Sequence, residues 1–210
     1  MRTPSGNMFR TPLQCIPREF YARDTVKVAH DLLGKQLVRI RRGARLSGRI
    51  VEVEAYRGRD DPASHAFRGS TPRNAPMFGE PGHAYVYFTY GNHYCLNVTT
   101  QASGTPGAVL IRAIEPLKGE VYMRKLRPSV SEVALTNGPG KLTKALDINK
   151  SLNEVDMTSP GPLFITHLDD GNFEIARSSR IGITVGKDRL WRFYISENKY
   201  VSKSHVSHLD

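Results

Sequence analysis

Ala84-Tyr85-Val86-Tyr87-Phe88-Thr89-Tyr90 is followed by Gly91-Asn92, and then by His93-Tyr94-Cys95-Leu96-Asn97-Val98-Thr99. Both seven-residue runs are rich in aromatic and β-branched side chains, and Gly91-Asn92 is a pair suited to a tight turn. The spacing predicts a β-hairpin. By its period of two, Tyr85 and Tyr87 share a face, Tyr90 reaches the tip, and Tyr94 lies across the turn. For one or two of these tyrosines a place in a β-rich core is sufficient explanation. A tyrosine at an exposed tip also suits stacking on bases or insertion between them.

Working outward, the segment before the hairpin, residues 57–83, is irregular and rich in Gly and Pro, the kind of loop that binds or catalyses. Before it, Ile50–Tyr56 reads as a strand. Val51, Val53 and Ala55 lie on one face, with Glu52, Glu54 and Tyr56 on the other. Leu37–Arg41 reads as a strand and Arg41–Arg45 as a basic turn. Asp24 or Thr25 caps a short helix that buries Val28, Ala29, Leu32 and Leu33 and stops at Gly34. After the hairpin, Ala108–Ile114 reads as an apolar strand interrupted by Arg112. Leu117–Arg127 and Lys141–Leu146 read as helices, and Leu163–Thr166, Ile181–Val185 and Phe193–Ile195 as strands. There is no internal repeat. The expectation is one α+β domain, residues 19–202, with a curved, mostly antiparallel sheet, a loose leader over residues 1–18 and a tail over 203–210.

The 210 residues carry 30 Lys and Arg against 20 Asp and Glu, a net charge of +10. An excess of that size favours a polyanionic partner, because basic side chains displace counterions from phosphates. An anionic membrane surface is the other candidate. No apolar run is long enough to span a bilayer, and the N-terminus lacks a signal-peptide core, so an intracellular protein is expected. Cys15 and Cys95 make no zinc pattern and read as plain thiols.

Glu54, near the end of its strand and at the mouth of the long loop, is placed to orient and deprotonate a water molecule. An isolated Glu there is more simply a solvated surface residue. Arg112 shifts the balance, since a guanidinium inside an apolar strand needs an anionic partner. Glu54 is a candidate for that partner; a purely structural ion pair is the other role open to Arg112.

Gly48–Tyr56, His65, Thr71-Pro72-Arg73-Asn74, Met77-Phe78, Pro81-Gly82, Tyr85-Val86-Tyr87 and Tyr90-Gly91 together form a recognisable series. It continues through Asn97, Arg112–Pro116, Asn137–Leu142, Ile148–Ser151 and Arg192-Phe193-Tyr194. In this order they resemble the alkyladenine (3-methyladenine) DNA glycosylase family from about residue 18 to about residue 202. The resemblance implies an enzyme that flips alkylated or deaminated purines (3-methyladenine, 7-methylguanine, hypoxanthine, ethenoadenine) out of double-stranded DNA. Water then hydrolyses the N-glycosidic bond, which initiates base excision repair.

The resemblance also implies residue roles. Glu54 is the general base, Arg112 helps hold the water and a phosphate, and the Ile181 carbonyl is a further water contact. Tyr56, His65 and Tyr87 sandwich the flipped base. The Ala63 carbonyl and the His65 amide read its edge, and Asn97 disfavours normal guanine. Tyr90 intercalates from a protruding hairpin, and Arg127, Lys141 and Lys150 contact phosphates. No cofactor, metal or catalytic Lys is implied, and one lesion site needs no partner subunit, so a monomer is expected. The Asn92-His93 tip is more polar than in animal members, and residues 152–180 match weakly.

Two other readings use the same residues. A magnesium-dependent nuclease would take Glu52, Glu54, Asp60 and Asp61 as ligands. A non-enzymatic nucleic-acid-binding module would use only the basic surface and the tyrosines.

Overall fold

The computed structural model describes residues 14–168 and 171–202. Most of the expected leader and all of the expected 203–210 tail lie outside them. Residues 14–18 belong to the fold: Ile16 is buried, and its N–H donates to the Ile165 carbonyl at 2.9 Å.

Two short helices open the chain, α1 (Arg18–Tyr21) and α2 (Thr25–Leu32). Asp24 caps α2 by accepting from the N–H groups of Val26 and Lys27 at 3.0 and 3.2 Å. This satisfies amides that the first turn leaves without partners. Val28, Ala29 and Leu32 then face the core.

The sheet is formed by β1 (Gln36–Arg41), β2 (Ala44–Tyr56), β3 (Ala84–Thr89), β4 (His93–Thr99), β5 (Ala108–Lys118), β6 (Leu163–Thr166), β7 (Ile175–Ser178) and β8 (Arg192–Ile195). The main path runs β3-β4-β5-β2-β1-β6, and β8 pairs with both β2 and β7. Every pairing is antiparallel. Helices α3 (Glu120–Leu126) and α4 (Pro139–Ala145) complete the set, α4 packing on β4 and β5. A mostly antiparallel α+β domain, as expected, is what forms.

Strand β2 is the central element. Its first half lies between β1 and β5, and its second half lies between β8 and β5. Val51, Val53 and Ala55 enter the main apolar core with Ile50, Val109, Ile111 and Ile114. Register irregularities against β5 fall between Ser47 and Gly48 and again between Ile50 and Val53. Such bulges bend a strand and re-aim its side chains, in the second case directly beside Glu52 and Glu54.

Several expected boundaries need correction. Ile181–Val185 is not a strand. Gly182 takes φ +78°, outside extended geometry, and the segment forms turns. A strand does form at Ile175–Ser178, where the sequence reading had placed none; it is a half-buried edge strand paired only with β8. The expected helix at Leu117–Arg127 begins later, because β5 continues to Lys118 and Gly119 turns the chain at φ +80°. A Cβ at Gly119 would stand 2.8 Å from the Arg45 carbonyl oxygen, so the crossing requires glycine. The basic turn is confined to Arg42-Gly43, and Ala44 already pairs with Arg41.

Candidate active site

The even-numbered face of β2 buries charge. Among the described residues, the buried carboxylates are Glu52, Glu54 and Asp61, and the buried guanidiniums are Arg112, Arg180 and Arg192. Three against three leaves this layer neutral, the condition under which buried ions are tolerable.

Arg112 comes from β5 and touches both β2 carboxylates. Its Nε donates to Glu52 Oε1 at 2.8 Å, and its Nη1 lies 3.1 Å from Glu54 Oε2. Arg112 takes Glu54, the partner named from the sequence, and adds Glu52. Glu52 also accepts from Arg192 Nε and from the Ser202 N–H, both at 2.7 Å. Burial pushes the Glu52 carboxyl upward, and Arg112, Arg192 and the Ser202 amide outweigh that push, leaving it below its ordinary value of 4.5.

Glu54 is not a solvated surface Glu; it is fully buried. The Tyr56 hydroxyl donates to its Oε2 at 2.8 Å, and the Ile181 N–H donates to its Oε1 at 2.7 Å. Burial, then the charge of Glu54, push the Tyr56 phenol well above its ordinary value, so Tyr56 stays a donor. Ile181 meets Glu54 through its amide, a bond separate from the water contact expected of its carbonyl.

The three residues that hold Glu54 (Arg112, Tyr56 and Ile181) line a cleft of about 340 Å³, and Glu54 itself lies behind them; the volume suits a small flat ligand. Tyr56, Ala63, His65, Tyr87, Asn97 and Ile181 all line it, so the sequence-predicted site residues converge from five separate segments. The His65 and Tyr87 rings meet edge to face at 4.8 Å, and His65 Nδ1 is 2.9 Å from the Tyr85 hydroxyl. Burial, then the positive charge of Arg73, push the His65 imidazole below 6.5, so it is neutral at pH 7. Asn74 Nδ2 holds the His65 carbonyl at 2.8 Å, and Asn97 Nδ2 holds the Tyr85 carbonyl at 3.0 Å.

Tyr90 sits at the turn between β3 and β4, 81% exposed. It holds φ 49°, a left-handed conformation that non-glycine residues rarely adopt. The turn spans Tyr90-Gly91-Asn92, one residue longer than the two-residue turn expected, since Thr89 pairs with His93. The His93 ring lies 5.8 Å from that of Tyr90.

The expected phosphate contacts differ among themselves. Lys150 is exposed, and the exposed Lys141 donates to Asn137 Oδ1 at 2.8 Å. Arg127 Nη1 is bonded to the carbonyls of Ala134 and Leu135 and braces the segment after α3.

The four carboxylates of the nuclease reading do not gather. Glu52, Glu54 and Asp61 each face a buried arginine, and Asp60 pairs with Arg57 at 3.3 Å. Sequence reasoning missed Arg180 and Arg192. The signal for Arg192 was present, a cation opening the apolar run Phe193-Tyr194-Ile195, as Arg112 interrupts its own strand. Nothing comparable marks Arg180.

The family profile described as Methylpurine-DNA glycosylase (MPG) matches residues 19–199. The chain belongs to this family. A protein of Carboxydothermus hydrogenoformans named "Putative 3-methyladenine DNA glycosylase" is 54% identical over 189 residues, covering 90% of this chain and 98% of its own. Proteins of the same name from Clostridium tetani and Methanocella arvoryzae are each 48% identical, covering 90% of this chain and 98% and 96% of their own. As a member it is a DNA glycosylase, a hydrolase of N-glycosyl bonds, and a base excision repair enzyme. In the described residues no helix is long and apolar enough to cross a membrane.

Proposed function

We propose that this glycosylase is monofunctional and acts as a monomer on alkylated or deaminated purines, including 3-methyladenine, 7-methylguanine, hypoxanthine and ethenoadenine. The damaged nucleotide rotates out of the duplex into the cleft, and its base lies between Tyr56, His65 and Tyr87. Their π faces favour electron-poor, cationic alkylpurines, which are also the better leaving groups. The Ala63 carbonyl and the His65 amide read the base edge, Asn97 crowds the amine of normal guanine, and Tyr90 fills the vacated stack. Lys141 and Lys150 hold the flanking phosphates.

Glu54 takes a proton from a water that attacks C1′, and its negative charge stabilises the oxocarbenium-like transition state. The glycosidic electron pair leaves with the base, and an abasic sugar remains. Because the nucleophile is water and not an amine, no Schiff base forms and the strand stays intact. The observation that carries this reading is Glu54 itself. It is a buried carboxylate beside an aromatic cleft, held by Arg112, Tyr56 and the Ile181 N–H, with acceptor capacity left for a water.

The test is single-turnover base release in EDTA from a duplex carrying one hypoxanthine or one 3-methyladenine, followed by mild alkali. Release with strand breaks only after alkali is expected, together with loss of release in Glu54→Gln while duplex binding persists. Near-normal release by Glu54→Gln would remove the general base. Breaks without alkali would point to an amine nucleophile, and dependence on magnesium would revive the nuclease reading.

A further inference from the structure

Arg180 and Asp61 form a pair whose side chains are both wholly buried. Arg180 Nη1 donates to Asp61 Oδ2 at 2.6 Å, and Nη2 donates to Oδ1 at 2.8 Å, a two-pronged fork. The Arg57 N–H also donates to Asp61 Oδ2 at 3.2 Å, and the guanidinium lies 5.3 Å from the Trp191 ring centroid; other contacts of the pair lead toward Glu54. Arg180 Nη1 also donates to the carbonyl of Ala55, the residue after Glu54, at 3.0 Å. The guanidinium lies over the Tyr56 ring, 4.6 Å from its centroid, and the Tyr56 hydroxyl bonds Glu54. Arg180 is followed directly by Ile181, whose N–H bonds the other Glu54 oxygen. Asp61 Oδ1 accepts from the N–H of Ala63, which lines the cleft.

A structural strut needs only to join two segments. This one contacts the Tyr56 ring and adjoins Ile181 in the chain, two of the three groups that hold the Glu54 carboxylate; the third, Arg112, it does not touch. The surroundings are built for close approach. Gly186, at φ +67°, passes over the fork, and a Cβ there would stand 3.3 Å from Arg180 Nη2. Arg180 Nε is buried with no acceptor among the described residues, so the fork geometry is kept at the expense of a donor.

We infer that Arg180 and Asp61 act as one positioning unit that sets the orientation of Glu54 toward the attacking water, without touching the substrate. The inference rests on the proposal that Glu54 is the general base. Lesion affinity comes mainly from phosphates and stacking, so the unit governs the rate of the bound complex and leaves affinity nearly alone.

The experiment compares wild type, Arg180→Lys, Asp61→Asn, the double variant and Glu54→Gln. For each, the dissociation constant for a hypoxanthine duplex is measured. The single-turnover rate constant with enzyme in excess is read separately from the amplitude. Arg180→Lys keeps the charge and loses the fork; Asp61→Asn keeps the shape and loses the charge. The expected result is a rate constant lower by about tenfold or more in each single variant. The dissociation constant should stay within about threefold, and the double variant should be no slower than the worse single one. A purely structural pair would reduce the amplitude and the melting temperature while the folded fraction reacted at the wild-type rate constant, and that result overturns the inference. So does an affinity loss that matches the rate loss. If Asp61→Asn does not fold, Arg180→Lys decides alone. Unimpaired release by Glu54→Gln would instead fault the general-base reading on which the inference depends.

Discussion

At the scale of single residues, the molecule departs from the simplest folding preferences where chemistry is expected. Tyr90 holds a left-handed backbone that costs a non-glycine residue roughly 1–2 kcal/mol, and it exposes a large ring to solvent. Neither feature is required by the turn, which Gly or Asn would form more easily. Their joint presence suits a ring that enters the base stack. Tyr90→Ser is expected to weaken binding to a lesion duplex about tenfold, in line with ~1–3 kcal/mol of stacking. The release rate of the saturated complex should change far less. Titration of a fluorescent lesion duplex, with single-turnover release at saturating enzyme, separates the two effects. Unchanged affinity would remove Tyr90 from the intercalating role. Position and exposure of this residue were legible from the alternation on either side of Gly91-Asn92. Its unusual φ was not, because sequence names the turn residues but not which of them takes the strained conformation.

At the scale of elements, β2 shows what a strand pattern conveys and what it hides. The alternation from Val51 to Tyr56 separated an apolar face from a face bearing Glu52 and Glu54, and both faces were assigned correctly. Alternation alone reads the charged face as solvated, yet the side chains of Arg112 and Arg192 cover it. That cover comes from residues some 60 and 140 positions away, beyond any local pattern. Ile181–Val185 misled for the opposite reason. Its apolar alternation is real, but Gly182 turns it into a wall of the cleft. The buried layer should also govern acid stability. The Glu52 carboxyl lies lower in the folded protein than its ordinary 4.5. Its contribution to stability is therefore complete above about pH 4.5 and lost as pH falls through the folded value. Glu52→Gln removes that contribution and leaves Arg112 and Arg192 short of one countercharge, an expected loss of about 3 kcal/mol at pH 7. Urea unfolding at pH 7 and across pH 3 to 5 checks both parts: the variant should be less stable at neutral pH and lose less further stability on acidification. Equal losses below pH 4.5 in both proteins would mean that Glu52 is not the group responsible.

At the scale of the whole molecule, the three buried carboxylates and three buried guanidiniums cancel, so the net charge of +10 lies outside this layer. Among the described residues the buried charges already balance, which leaves the excess available to a polyanion. For duplex DNA the logarithm of affinity should then fall linearly with the logarithm of salt concentration, with a slope near −0.9 for each phosphate neutralised. The structure divides the three basic residues expected at phosphates. Lys141 and Lys150 are exposed and can meet a phosphate without giving up a buried contact. Arg127 is committed to the carbonyls of Ala134 and Leu135. Lys150→Ala and Lys141→Ala should each make the slope shallower by about 0.9 and leave the melting temperature nearly unchanged. Arg127→Ala should lower the melting temperature and shift the slope by less. Binding isotherms on one undamaged duplex between 50 and 200 mM salt, paired with thermal melts, measure both. A full unit of slope lost in Arg127→Ala, with stability intact, would return that arginine to the phosphates and make its carbonyl bonds a resting arrangement that DNA replaces.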